Sequence, residues 1–181
     1  MAFTFLAAQG FNVGRSLVEE DKKELALNTL KAAVERKVRI VLPVDVRSAK
    51  KFPEPIDEAL PFENVQVANI SSDSIGLDIG ADTEKMFAEE IRRAKTVVWN
   101  GPMGVFENPL FAAGTRTVAF AIAAAGTCGA LTVMGGGDSV SAAVQFNVAD
   151  RLTHVSTGGG STLEFLEGKP LPGVECLEDR D

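Results

Sequence analysis

The sequence is poor in the residues that build histidine-based or cysteine-based sites. It contains one histidine, His154, and two cysteines, Cys128 and Cys176, which are far apart and show no CxxC spacing. The chain therefore has few side chains from which a catalytic triad or a histidine-ligated metal site could be built. Two separated cysteines fit a reducing compartment and indicate no metal site.

Long apolar runs and an excess of positive charge are also missing. No apolar run approaches the ~18 residues of a transmembrane helix, and the start, MAFTFLAAQG, lacks the basic region and cleavage site of a signal peptide. The 181 residues include 18 basic and 25 acidic side chains, for a net charge of −7. This balance argues against non-specific binding to nucleic acid or to an anionic membrane, so neither is expected as a partner.

What the sequence does contain is a strand–loop–helix unit that recurs along its second half. The segments TVVWN (96–100), ALTVM (130–134) and LTHV (152–155) are short and apolar, as strands are, and each precedes a glycine-bearing loop and a helical stretch. Such repetition predicts a mostly parallel sheet covered by helices. With 45% hydrophobic residues, the chain suits one domain of the α/β class with a sizeable core.

The first half is less regular. VRIVLPVDV (38–46) predicts a strand covered on both faces, and NVQVANI (64–70) predicts an edge strand or part of a hairpin. Leu25, Leu30, Ala33 and Val34 fall on one face of a predicted helix. Helix starts are predicted from capping residues at Ser16 with Glu19, at Asp82, at Asn108 with Pro109 in the first turn and Gly126 as the stop, and at Ser161 with Glu164.

Two glycine runs carry the strongest functional signal. GGGDS (135–139) follows a predicted strand and opens a predicted helix, and STGGG (156–160) repeats this on the next strand. Ligands bind at the carboxyl ends of strands in open α/β sheets, and bare backbone under a helix N-terminus suits a phosphate. A tight βα turn is the alternative explanation for either run. The chain has no GxxxxGK[ST] loop and no GxGxxG followed by an acid, which argues against a Walker-type or dinucleotide site.

Two acids near these loops each have two interpretations. Asp138 could cap the helix that follows GGG, or its carboxylate could hold Mg²⁺ beside phosphates. From spacing alone the cap is favoured. Glu107 ends the loop NGPMGVFE (100–107), where it could accept hydrogen bonds from ribose hydroxyls or simply be a solvated acid.

The motifs together resemble those of phosphoglycerate kinase. VVWNGPMGVFE, GGGDS and STGGGSTLEFLEGKPLPGVE carry the resemblance, which extends through MAFTFLAAQG, SLVEEDK, VLPVDV and GLDIG over essentially the whole chain. The resemblance implies reversible phosphoryl transfer in glycolysis, between 1,3-bisphosphoglycerate and ADP, giving 3-phosphoglycerate and ATP with Mg²⁺. It also implies a cytoplasmic, usually monomeric enzyme, whose nucleotide lies on the C-terminal one of two Rossmann-like domains.

The resemblance also assigns roles to the residues that match the family's motifs. In GLDIG, Leu77 lies at the adenine. In NGPMGVFE, the residues along the nucleotide are Asn100, Gly101, Pro102 and Val105, and Glu107 lies at the ribose. In GGGDS, Gly136 and Gly137 lie near the phosphates, Asp138 binds the metal and Ser139 lies at the phosphate end of the helix, which reverses the preference for a capping Asp138. Gly158, Gly159 and Gly160 surround the transferring phosphoryl group, and Gly136 and Gly159 are the predicted catalytic positions.

The family chain is longer than this one. The resemblance therefore predicts that residues 1–181 form the three-layer nucleotide-binding domain without its first strands, and that the phosphoglycerate-binding N-terminal domain is an absent partner. Two alternatives stay open. One is a non-catalytic nucleotide-binding fragment or interaction module. The other is an oxidoreductase with a dinucleotide site, which the missing GxGxxG loop disfavours.

Overall fold

The structure is a computed structural model that describes residues 1–156 and 158–177. The chain divides into two compact units: unit 1 comprises Met1–Glu89 and Met103–Val118, and unit 2 comprises Glu90–Pro102 and the residues from Ala119 onward. In the described part of the chain, none of the helices has the length and apolar character needed to cross a membrane. The assignment of both units to a single nucleotide-binding domain stays a prediction.

Helices and strands alternate along the described chain. The helices are α1 (Ala2–Ala8), α2 (Lys23–Glu35), α3 (Ala81–Arg93), α4 (Ala113–Thr127), α5 (Gly137–Gln145), α6 (Gly159–Leu166) and α7 (Pro172–Glu175). The strands are β1 (Asp45–Ala49), β2 (Phe62–Gln66), β3 (Ile75–Ile79), β4 (Thr96–Asn100), β5 (Leu131–Gly135) and β6 (His154–Val155).

Unit 1 is built on an antiparallel sheet of order β2-β1-β3. The central strand β1 places Val46 opposite Val65 of β2 and Ile79 of β3. Two apolar clusters pack around this sheet; one contains Leu6, Val13, Val46, Val67 and Ile70, and the other contains Ala49, Leu60, Leu77 and Phe111. The prediction of an edge strand within 64–70 is confirmed at β2, although an antiparallel sheet was not expected.

Unit 2 contains a parallel sheet of order β4-β5-β6. Trp99 of β4 lies opposite Met134 of β5, and both side chains are buried. The strand–loop–helix pattern of the sequence is therefore confirmed in this half, and with it the α/β class. The parallel arrangement brings the ends of β4 and β5 to the same edge, where Asn100 lies opposite Gly135.

The expected strand over 38–46 and the expected face of the first long helix are wrong in detail. The strand β1 begins only at Asp45, because the ladder partners that β2 and β3 provide start there. On α2 the buried residue is Ala26, whereas Leu25 and Val34 are exposed. Helical periodicity located the helix, but the face that is covered depends on α1, which packs against α2.

The predicted caps at Ser16 and Asp82 are wrong because groups distant in sequence make hydrogen bonds at these positions. The buried hydroxyl of Ser16 accepts from Gly76 N at 2.9 Å, and α2 starts later, without a side-chain cap. At the start of α3 the carboxylate of Asp45, on β1, accepts from Asp82 N at 3.1 Å and from Thr83 N at 2.8 Å.

The two later caps differ in where the helices begin. Asn108 accepts from Leu110 N at 2.9 Å and so caps a 3₁₀ turn, Pro109–Phe111, rather than α4. The helix α4 runs through Gly126 and ends at Thr127. The helix α6 begins at Gly159, so Ser161 lies inside it and makes no capping bond.

Candidate functional site

In unit 2, the two glycine runs lie in contact with each other. A Cβ atom added to Gly159 would lie 2.7 Å from the Cα and 2.9 Å from the N of Gly136. No real side chain tolerates backbone at that distance, so only glycine fits here. By contrast, a Cβ on Gly137 or Gly160 would meet no described atom within 4 Å.

Gly136 is also the position where the backbone requires glycine. Its φ of +96° lies in the left-handed region, which L side chains rarely adopt. A Cβ there would lie 3.5 Å from Asn100 Oδ1, at the end of the neighbouring strand β4. The predicted residues Asn100, Gly136 and Gly159 are therefore brought together at the carboxyl end of the parallel sheet.

The loop after β4 is hydrogen-bonded to the start of α5. Gly101 N donates a 2.7 Å hydrogen bond to the hydroxyl of Ser139, which is fully buried in the first turns of α5. Trp99 Nε1 donates to Gly101 O at 2.8 Å, and Trp99 is 4% exposed, so its side chain lies in the core. Pro102, the next residue of the loop, is half-buried. Ser139 thus positions the loop, and its assignment to a phosphate stays a prediction.

Asp138 does not cap α5. The N-cap position is Gly136, the helix start has no side-chain capping bond, and Asp138 lies exposed in the first turn. Its carboxylate forms no hydrogen bond or ion pair with the residues that the structure describes, so both oxygens are open. No three acidic, histidine or cysteine side chains cluster as metal ligands within residues 1–156 and 158–177. The carboxylate of Asp138 could serve as one of the one or two through which Mg²⁺ binds beside substrate phosphates, and this role stays a prediction.

The second glycine run borders a cavity of about 390 Å³ beside α6. Its lining includes Ser156, Gly158 and Thr162 from this run and helix, together with the exposed His154 of β6. Thr162 lies against the first run as well, since its Cβ would be 3.4 Å from a Cβ on Gly135. Residue 157 of the STGGG motif lies outside the described residues.

In unit 1, the predicted residues Leu77 and Val105 lie in contact. Val105 N donates to Leu77 O at 2.9 Å, and both side chains belong to the cluster around Phe111. The hydroxyl of Thr115, on α4, accepts from Met103 N at 3.0 Å and so holds the start of the same loop. Glu107, two residues beyond Val105, is exposed.

Next to Leu77 lies a buried acid that sequence reasoning missed. Asp78 is 3% exposed, and burial raises the pKa of its carboxyl to about 6, although Arg47 and the N–H groups of Gly114 and Ile79 favour its ionised form. The signal was present in the sequence, because GLDIG places one acid within an apolar strand. Such an acid requires a buried partner, and Arg47, the residue that provides it, lies on a different strand.

By class, the fold and these loops define an α/β protein with glycine-rich turns at the carboxyl edge of a parallel sheet, the usual place for ligands in such folds. A sequence profile of the phosphoglycerate kinase family matches residues 1–169. The chain therefore belongs to the phosphoglycerate kinase family, as the resemblance of its motifs predicted.

Individual relatives agree with this assignment. The chain is 52% identical over 177 residues to the phosphoglycerate kinase of Chlorobium luteolum, which covers 98% of this chain and 44% of that protein. It is 49% identical over 180 residues to that of Finegoldia magna. The solved phosphoglycerate kinase from Coxiella burnetii superposes on 96% of this chain with a TM-score of 0.88 and 39% identity. In each case the chain spans less than half of the relative's length, 43–44%.

Proposed function

We propose that this chain carries the nucleotide site of a phosphoglycerate kinase and binds ADP or ATP with Mg²⁺. The whole protein would transfer a phosphoryl group reversibly between 1,3-bisphosphoglycerate and ADP. The observation that supports this most directly is the contact of Gly159 with the backbone of Gly136 at the start of α5. Beside this contact, Gly137 begins α5 with open space where a side chain would lie, and bare backbone at a helix N-terminus suits the phosphates of a nucleotide.

In unit 2, the predicted residues from 136 to 138 and Gly159 each have a role in this function. The unpaired N–H groups at the start of α5 would bind phosphate oxygens, and glycine at 136 and 137 keeps side chains out of their way. The open carboxylate of Asp138 would hold Mg²⁺, which neutralises phosphate charge when it is bound. The catalytic role of Gly136 and Gly159 is to admit and orient the transferring group, since phosphoryl transfer depends mostly on positioning and charge stabilisation.

In unit 1, the adjoining Leu77 and Val105 offer an apolar contact that suits an adenine ring. Glu107, exposed on the same loop, offers a carboxylate that suits the hydroxyls of a ribose. In unit 2, Asn100, Gly101 and Pro102 are proposed nucleotide contacts, as the family's motif implies. A cytoplasmic location and a monomeric state, which the family resemblance implied, stay predictions.

Calorimetric titration of the 181-residue chain tests this function. We expect binding of MgADP and none of NAD, which an oxidoreductase would bind. Asp138→Ala should weaken the affinity for MgADP more than the affinity for ADP with the metal chelated. Glu107→Ala is the matched comparison and should weaken both equally, because a ribose contact does not depend on the metal. Equal losses for the two variants in both conditions would contradict the assignment of Asp138.

A second candidate is a non-catalytic nucleotide-binding fragment or interaction module. The chain covers only 44% of its relatives, and the phosphoglycerate-binding N-terminal domain is the proposed partner for catalysis. A coupled assay with MgATP and 3-phosphoglycerate separates the two candidates. We expect no useful turnover from this chain alone and measurable turnover when the N-terminal half of a relative is added. No turnover in either case would favour the non-catalytic candidate. Turnover by the chain alone within about tenfold of an intact relative corresponds to a difference of about 1.4 kcal/mol in the activation barrier. Such turnover would show that phosphoglycerate does not need the N-terminal domain as its binding site.

A further inference from the structure

A buried ionic network in unit 1 has no role in the proposed function so far. Asp78 Oδ2 accepts from Arg47 Nη1 at 2.7 Å and from Gly114 N at 2.8 Å, while its Oδ1 accepts from Ile79 N at 2.9 Å. Arg47 continues the network, since its Nη2 donates to Glu84 Oε1 at 2.5 Å. The Asp78 carboxylate therefore joins β3 to β1 and to the start of α4.

The same carboxylate lies directly beneath the loop that carries Val105 and Glu107. A Cβ on Gly104 would lie 2.5 Å from Asp78 Oδ1 and 2.6 Å from Leu77 O, so the loop backbone rests on these two residues. The next peptide N–H, that of Val105, donates to Leu77 O. A shift of the Asp78 carboxylate toward Gly104 would displace the loop, because the space between them does not hold even a methyl group.

Asp78 also contacts the helix that holds the start of this loop. The hydrogen bond from Gly114 N to Asp78 fixes the first turn of α4, and the next residue, Thr115, is fully buried. The Thr115 hydroxyl accepts from Met103 N at 3.0 Å and Gly104 N at 3.3 Å. One carboxylate thus determines both the surface under the loop and the helix that anchors its beginning.

The composition of this network is unusual for a purely structural core. Burying a charge is costly unless it is paired, and apolar residues of similar volume often replace buried ion pairs without loss of stability. What an apolar replacement would not provide is the directional bond to Gly114 N and the close support of Gly104. These contacts suit a role in positioning the loop and α4.

We propose that Asp78 is a positioning residue for the adenosine part of the nucleotide site: its carboxylate, held by Arg47, keeps residues 103–107 in place against Leu77. The proposal rests on the proposed function, because it takes Leu77, Val105 and Glu107 as the contacts for base and ribose. Asp78 itself touches no nucleotide and acts through Gly104 and Gly114.

Amide hydrogen exchange, resolved by NMR at pH 7.5 where Asp78 is ionised, tests the positioning directly. In Asp78→Asn, exchange of the Val105 and Gly114 amides should rise about tenfold, or about 1.4 kcal/mol in local opening. Gly104→Ala is a second variant, which displaces the loop while it keeps the charges of Asp78, Arg47 and Glu84, and it should raise exchange at Val105. The matched control is Asp73→Asn, an exposed acid of the same unit that pairs with Lys50, and exchange at Val105 and Gly114 should not change.

Binding of three probes tests the link to adenosine. Both Asp78→Asn and Gly104→Ala should weaken adenosine and ADP by a similar factor, about tenfold, and leave tripolyphosphate unchanged. A general loss of folding would weaken all three probes together. Selective loss with adenosine and ADP is therefore a result that a merely structural role does not produce.

The outcomes separate the two proposals. A wild-type chain that binds neither ADP nor adenosine contradicts the proposed function, and the exchange data then decide the positioning by themselves. Unchanged exchange at Val105 in both variants overturns the role of Asp78, as does an equal loss of affinity for all three probes. If Asp78→Asn does not fold, Gly104→Ala decides, because selective loss of adenosine is expected of it as well.

Discussion

Replacing Gly159 with alanine would place a methyl group against the backbone of Gly136. The added Cβ would lie 2.7 Å from Cα and 2.9 Å from N of that residue, and backbone cannot give way as a flexible side chain can. The neighbouring Gly160 offers a matched control, since it lies in the same helix and a Cβ there meets nothing within 4 Å. The two variants therefore differ in one contact.

The expected magnitude follows from two opposing effects. Overpacking of this kind costs about 1–3 kcal/mol, whereas an alanine in place of glycine in a helix gains up to about 1 kcal/mol. The gain in helix propensity is common to both variants and largely cancels between them. Gly159→Ala should therefore be about 1–3 kcal/mol less stable than Gly160→Ala.

Urea unfolding of both variants measures this difference, and titration with MgADP measures its functional consequence. Displacement of Gly136 moves the start of α5, so Gly159→Ala should lose nucleotide affinity while Gly160→Ala retains it. Equal stability of the two variants would refute the close packing of the two glycine runs. A Gly159→Ala variant that is less stable but binds MgADP as tightly as wild type would refute the functional role and favour a simple tight turn.

Two further predictions concern unit 1. Because burial raises the folded-state pKa of Asp78 to about 6 from 3.8, its contribution to stability is present at low pH and lost as the pH rises through about 6. Arg47 and Glu84 are the charged groups that face Asp78. When the pH is lowered from about 7 to about 4.5, the free energy of unfolding of the wild type, measured with urea, should rise by about 2 kcal/mol relative to that of Asp78→Asn. Parallel pH curves for the two proteins would contradict this. Thr83→Val should cost about 1–3 kcal/mol, because the buried hydroxyl bonds to both Asp45 Oδ1 and Asp45 O at the start of α3. An unchanged urea midpoint for Thr83→Val would show that these hydrogen bonds do not stabilise the fold.

Local sequence patterns were sufficient for much of the second half of the chain. Strand β4 was expected over 96–100 and occurs there, and the two helices expected at the glycine runs are present, beginning at Gly137 and Gly159. These features depend on neighbours in sequence, since apolar runs, glycine turns and helix periodicity act over a few residues. The motifs that carry the family resemblance are of the same local kind, so the family was also recognisable from the sequence.

The caps and the covered helix faces could not be obtained in that way. Ser16 and Asp82 have the right type and spacing for caps, but Gly76 N takes the hydroxyl of Ser16, and the carboxylate of Asp45 takes the start of α3. A capping group competes with every other polar group that folding brings within reach, and spacing along the chain does not reveal the competitors.

The sequence by itself determined that glycine stands at 136 and 159, that an acid lies within the apolar strand around Asp78, and that the chain is of the α/β class. Only the tertiary structure decided that Gly159 needs to be glycine because of Gly136, and that Asp78 is paired with Arg47 beneath Gly104. The physical reason is that burial and close approach are properties of pairs of residues distant in sequence. A single chain position specifies which contacts a residue can make, and the packing of other elements against it selects the ones it does make.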